Sequence, residues 1–309
     1  STPLGESNLA SVRMNEFSQK LISVMGGVIS GKKILEIGCG NGKLLFELKK
    51  MGAIVKGIEI GPQADIVKNK YGIEVFKEPL SKISLNDQFD CIFSYGCLEH
   101  IDDLEAFFES SRLSLSNNGL FFHSVPNSEL SFKMFHLDHL LHQHINYFTP
   151  KNGVELFNSQ GFSNSSFSIS ENKNELMIWG FYSKTNSIDW PIQIQDEELS
   201  KLVKYKVGLQ SKTEKIKLTL NRLIQEGKSI GFYAGGFEYG FHLKNNKLVR
   251  YFDSDEYKYG RKWLKNLPNI EPPKNLLLNR IDKIIICKPH YYKKIYNSLL
   301  EIGVEASLI

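Results

Sequence analysis

The chain has 309 residues, 41% of them hydrophobic and 23% charged, with a formal net charge of +4. That balance describes a folded globular chain and excludes a disordered one, and no apolar run approaches the ~20 residues that a membrane helix needs. Lysine and arginine are interspersed with acids along the whole length, so no basic stretch proposes a nucleic-acid partner.

The opening residues, STPLGESNLASVRMNEF, lack the basic-then-apolar layout of a secretory signal, which makes the cytoplasm the expected compartment. Cys39, Cys91, Cys97 and Cys287 form no CxxC pair and read as reduced thiols. Residues 14–29 carry apolar side chains at helical spacing and predict a lead-in helix. Strand and helix patterns then alternate. Near-continuous apolar runs predict strands at 33–38, 53–60, 73–76, 89–94 and 119–125, as buried parallel strands require. Helical patterns at 42–51, 62–71 and 103–116 lie between them. Two further runs, 162–170 and 175–183, flank the turn-like ENKN and predict an antiparallel hairpin. The expected fold class is α/β, with a Rossmann-like seven-stranded domain over residues 1–185.

Residues 184–195 (KTNSIDWPIQIQ) read as a polar linker and 196–226 as a helix, so 186–227 is expected to connect two domains. Beyond it, GKSIGFYAGGFEYGF repeats the order of strand, glycine turn and helix. KLVRYFDSD and IDKIIICKP read as further strands and HYYKKIYNSLLEIGV as a closing helix, which makes 228–309 a smaller α/β domain, also Rossmann-like.

The chemistry concentrates in KKILEIGCGNG, residues 32–42, where Gly38, Gly40 and Gly42 remove side chains that would keep a ligand from the backbone. A helix starting at about Asn41 would aim free N–H groups at a ligand carboxylate, with Glu36 near its ammonium group. About twenty residues on, Glu59 closes the second strand, where an acid accepts hydrogen bonds from ribose hydroxyls. With FDCIFSYGCLEHIDD following, this order of motifs resembles the class I S-adenosylmethionine-dependent methyltransferases, over about residues 30–183. The resemblance implies S-adenosylmethionine as cofactor. It assigns Glu36, Gly38, Cys39, Gly40 and Asn41 to the methionine part, and Glu59 with Ile60 to ribose and adenine. Pro79 and Leu80 would border the adenine where many members place an Asp. Tyr95, Gly96 and His100 would close the pocket beside the sulfonium, with Glu99 and His100 supporting the cofactor. Asp102 and Asp103 are expected to cap the next helix, and HINYFTP resembles the element in which Thr149 and Pro150 start the last one.

The stretch HLDHLLHQHINYFTP packs His136, His139, His142 and His144 into nine residues after the fifth strand, at the sheet end where α/β folds bind ligands. Histidine suits a general base near neutral pH. His144 is the preferred base and His142 the second, while His139 and Tyr147 are assigned to the acceptor. The same histidines would also serve to cap helices, to pack with Phe135, Tyr147 and Phe148, or to converge with Asp138 on zinc or iron. Methyl transfer itself needs no metal, and none is expected.

The second domain resembles the carboxyl-terminal domain of sugar C-methyltransferases, through GFYAGGFEYGF, VRYFDSDEYKYG and DKIIICKPHYYKKIYNSLLEIGV. This implies a sugar acceptor, nucleotide-linked, in surface polysaccharide or secondary metabolite biosynthesis. Gly235 and Gly236 would then meet a pyrophosphate, Asp253 would hold a ribose or shape the turn, and Arg250, Arg261 and Lys262 are candidate phosphate partners; a degenerate nucleotide fold kept for packing or dimerisation stands beside that reading. The cysteine-rich zinc module usual in those enzymes is missing, which leaves O-methylation open. Two alternatives stand beside the sugar: O-methylation of a small aromatic or lipid acceptor, with the second domain as a homo-oligomer surface, or a non-catalytic scaffold that keeps the cofactor pocket.

Overall fold

The computed structural model describes residues 8–85, 87–133, 135, 143–169, 177–184, 196–236, 243, 246–262, 266–278, 281–288 and 292–304. The chain divides into a first unit, Pro3–Leu199, and a second, Ser200–Ile309.

In the first unit, β1 (Lys33–Ile37), β2 (Ile54–Ile58), β3 (Glu74–Phe76), β4 (Phe89–Tyr95) and β5 (Leu115–Pro126) run parallel. The strands β6 (Phe162–Ile169) and β7 (Met177–Lys184) complete seven in the order β3-β2-β1-β4-β5-β7-β6, with β7 antiparallel to both neighbours. Every strand anticipated from the apolar runs of this unit is present. Alternate side chains within each run feed two cores: Ile34, Phe93 and Phe122 face one layer, Leu35, Ile92 and Phe121 the other. The first layer is covered by α1 (Asn8–Val24), α2 (Lys43–Lys50) and α3 (Gln63–Tyr71), through Phe17, Leu45 and Val67. The second is covered by α4 (Leu104–Ser114) and α6 (Pro150–Ser159), which bury Phe107, Phe108 and Phe157. Each such ring removes enough apolar surface from water to stabilise the fold by about 1.5–3 kcal/mol. A short α5 (Ser128–Lys133) follows β5.

Two boundaries differ from the sequence reading. The lead-in helix stops at Val24 instead of running to 29, where the Gly27 N–H turns back to the Ile22 carbonyl at 2.9 Å. The fifth strand starts at Leu115 instead of 119, through an irregular register with β4 between Phe89 and Cys91. The strand order reverses between β1 and β4, and such a reversal opens a crevice at the carboxyl ends of those two strands.

The second unit is a four-stranded parallel sheet, β8 (Ile230–Tyr233), β9 (Val249–Phe252), β10 (Ile270–Glu271) and β11 (Lys283–Ile286), in the order β10-β9-β8-β11. The long helix α7 (Asp196–Gln225), read from sequence as a connector, buries Leu220 and Leu223 in this unit's own core with Phe232 and Tyr251. The turn α8 (Asn275–Leu278) and the closing helix α9 (Tyr292–Glu301) contribute Leu276 and Leu299 to a second cluster around Phe252. The two-residue β10 escapes the sequence reading because Pro268 and Pro272 flank it, which confines it to a sheet edge. No helix among the described residues is long and apolar enough to cross a membrane.

Candidate cofactor and acceptor site

At the end of β1 the chain turns sharply: the Gly38 and Cys39 N–H groups both donate to the Ile58 carbonyl, at 2.8 and 3.0 Å, which draws the glycine turn over the end of β2. Gly38 takes a φ of 73°, and a Cβ there would lie 2.6 Å from Cys97 Sγ. Only glycine fits both demands. The helix begins at Lys43, two residues later than the expected Asn41, and Asn41 Oδ1 accepts from the Lys43 N–H at 3.2 Å. Asn41 therefore satisfies one of the helix's own donors.

Glu59 lies where the sequence places it and does more than expected. Its Oε2 accepts from the Gly40 N–H at 2.8 Å and its Oε1 from the Gly61 N–H at 2.7 Å, which ties the turns after β1 and β2 together. Each carboxylate oxygen keeps a further lone pair for a hydroxyl donor. Beside it Ile60 is 72% exposed, while Leu80 is buried in the second core. Glu36 is buried on β1, and burial followed by the nearby Glu59 charge holds its carboxyl well above the usual carboxylate range. Its Oε2 finds no hydrogen-bond partner among the described residues. A buried acid with an idle oxygen beside a glycine turn suits a cationic amino group brought by a ligand.

On the far side of the crevice β4 ends at Tyr95, whose ring meets Phe17 of α1 edge-on at 5.0 Å. The Gly96 N–H donates to the Ser124 carbonyl at 2.9 Å, and a single 3-10 turn, Leu98–His100, follows. Cys97 precedes that turn, and burial pushes its thiol up to about 12. Glu99 is 4% exposed, burial pushes its carboxyl up to about 7, and its Oε2 has no hydrogen-bond partner among the described residues. The His100 and His144 rings meet edge-on with centroids 4.9 Å apart, and His100 Nδ1 is hydrogen-bonded to the Gln143 carbonyl at 2.8 Å. Glu99, His100 and His144 each present one ligand atom, and the three atoms lie within 4.8 Å of one another. Tyr147 is partly buried, and desolvation raises its phenol above the ordinary value.

His144 is thus brought to the site, whereas His136, His139 and His142 lie outside the described residues. Glu99, which the sequence assigns to cofactor support, lies together with both imidazoles. Its one legible signal is an acid directly followed by histidine; the pairing with a segment more than forty residues away is not written in either stretch. A carboxylate with two imidazoles can relay a proton from a hydroxyl, and the same donors suit a divalent cation. The expected caps are present: Asp103 Oδ1 accepts from the Ala106 N–H at 2.9 Å, and Thr149 with Asn152 forms a capping box on α6.

The glycine turn of the second unit has a packing reason of its own. A Cβ on Gly236 would lie 2.6 Å from Cys287 Sγ and overlap the Phe232 ring. Arg250, expected to meet phosphate, is instead held by both oxygens of Glu271. Asp253, expected to hold a ribose or shape the turn, accepts from the Asp255 N–H two residues on and from Lys258 Nζ, both at 2.9 Å, which is the turn-shaping use. Buried charges of this kind are retained where they are paired, and both are used internally.

Residues 13–166 match a family model described as a methyltransferase domain. Among curated proteins, the chain is 27% identical over 135 residues to the ubiquinone biosynthesis O-methyltransferase of Pasteurella multocida, covering 38% of this chain and 56% of that one. It is 30% identical over 109 residues to the enzyme of the same name from Pelagibacter ubique, covering 33% and 45%. The chain thus spans about half the length of the curated relatives it matches. Among solved structures, the PH0226 protein of Pyrococcus horikoshii OT3 aligns with 58% of this chain and 93% of its own, at 18% identity and a TM-score of 0.50, a likeness of fold.

Proposed function

Residues 13–166 belong to the class I S-adenosylmethionine-dependent methyltransferases, and from that premise we propose that the protein methylates a hydroxyl oxygen, with His144 as the base. The observation that carries this reading is the convergence of Glu99, His100 and His144 within 4.8 Å, two residues past Cys97. Cys97 itself packs against the glycine turn at Gly38, so the acid–imidazole group adjoins the cofactor loop.

When bound, S-adenosylmethionine supplies a methyl group on a positively charged sulfur. Glu36 receives its ammonium group, Glu59 its ribose hydroxyls, and Gly38 and Gly40 give the backbone room beside it. On transfer one carbon–sulfur bond would break as one carbon–oxygen bond forms; His144 would take the proton that the acceptor hydroxyl gives up, and Glu99 would steady the resulting imidazolium. Tyr147 lies two peptide units beyond His144's neighbour Ile145 and contributes to the acceptor side.

For the acceptor, relatives named ubiquinone biosynthesis O-methyltransferases favour methylation of oxygen, and with it the small aromatic or lipid alternative from sequence; a phenolic hydroxyl is the acceptor we put to the test. The nucleotide-sugar reading rests on the parallel sheet and glycine turn of the second unit, Gly235 and Gly236, and is weakened by the internal use of Arg250 and Asp253. The site of action we assign is the cytoplasm. Labelled methyl donor offered with dihydroxybenzoates and, separately, with nucleoside diphosphate sugars decides between the two acceptors. Label in the phenol supports the first reading and label in the sugar the second; cofactor bound stoichiometrically without transfer to either panel sinks both in favour of a scaffold.

A further inference from the structure

We propose that Asn146 is the positioning residue of this site, fastening the segment that carries His144 to the turn that carries Glu99 and His100. The proposal rests on the reading of His144 as the base and concerns what holds it in place. Residues 143–147 belong to no helix or strand, so the backbone alone does not fix the imidazole. Five hydrogen bonds do so instead. The Asn146 side-chain amide donates to the Leu98 carbonyl at 3.0 Å and to the Ile101 carbonyl at 2.6 Å, the two carbonyls that bracket the Glu99–His100 pair. The Ile145 and Asn146 backbone N–H groups both donate to the Glu99 carbonyl, at 2.9 and 3.1 Å. His100 Nδ1 and the Gln143 carbonyl make the fifth, at 2.8 Å. His144 lies between these anchor points.

The residue type follows from the geometry. Two carbonyls on one short turn need two donors from a single atom at short reach, and a primary amide on one methylene supplies them. Aspartate would set a third acceptor against two carbonyls, and leucine would leave both unpaired at a partly buried site.

The test compares Asn146→Ala with Asn152→Ala in the full chain. Asn152, in the first turn of α6, also bonds main chain, accepting from the Thr149 N–H at 2.7 Å and donating to the Tyr147 carbonyl at 3.1 Å, and among the described residues it makes no hydrogen bond to the 98–101 turn. Histidine-selective labelling reads the through-space cross-peak between the His100 and His144 rings, and amide exchange reads Ile145. The expected result is loss of the cross-peak and at least about tenfold faster Ile145 exchange in Asn146→Ala alone, with partial recovery in Asn146→Gln. A cross-peak that survives in Asn146→Ala, or that disappears equally in Asn152→Ala, overturns the proposal. These readouts need no acceptor; the role of His144 as base is judged separately, by the turnover of His144→Ala.

Discussion

Gly38 concentrates two demands on one atom. Its backbone occupies the left-handed region and its missing side chain leaves room for Cys97. Gly38→Val would push the glycine turn away from the end of β2, so affinity for S-adenosylmethionine should fall by about a hundredfold or more, the loss expected when several well-placed polar contacts go together. Titration calorimetry beside a thermal melt checks this, and normal affinity in a folded variant would remove the turn from the cofactor pocket. His144→Ala separates binding from chemistry: affinity for the methyl donor should hold while turnover falls about a hundredfold or more. Unchanged turnover would shift the proton to His142 or to Glu99 itself.

At the scale of single elements, β5 carries a histidine directly after Phe121 and Phe122. His123 is buried, stacked on Phe157 at 4.6 Å, with Nε2 3.4 Å from the Tyr182 hydroxyl, and burial pushes its imidazole down to about 3. Because the folded state holds the neutral ring, the unfolded chain binds the extra proton between its ordinary value near 6.5 and about 3. Stability from this residue is complete above pH 6.5 and is lost as pH falls toward 3. His123→Phe should therefore flatten the fall in Tm between pH 7 and pH 4, whatever its effect at neutral pH; an unaltered slope would assign acid sensitivity to other groups. A smaller effect belongs to α6, where Thr149→Ala removes the Oγ1 acceptor of the Asn152 N–H and should cost about 1 kcal/mol by denaturant melting. These elements also show where sequence sufficed. Runs such as KILEI and FDCIFSY are apolar on both faces and have no stable place except inside a sheet, so the strands were legible. The caps at Asp103 and Thr149 were legible because they are local. The Glu99 cluster was not, since its partners are joined by hydrogen bonds between two irregular segments that carry no periodic signal.

The whole molecule consists of two units, each with its own sheet and its own core, and the residues proposed to hold the cofactor all lie in the first. A lesion confined to the second core should leave the first intact. Gly236 offers one: its φ is 87°, and a side chain there would collide with Phe232 and Cys287. Gly236→Val combines overpacking, typically about 1–3 kcal/mol, with left-handed backbone that a β-branched residue resists. Scanning calorimetry should show one unfolding transition displaced downward and the other unmoved, with affinity for S-adenosylmethionine within about twofold of the parent. A fall in affinity together with the displaced transition would overturn the expected independence of the two units. The same experiment with a nucleoside diphosphate sugar added to the parent protein bears on the acceptor, because a ligand held by the second unit must raise that unit's transition by mass action. A shift confined to that transition would restore the sugar reading; no shift at millimolar ligand would leave Gly235 and Gly236 as packing residues and the phenolic acceptor as the one to pursue.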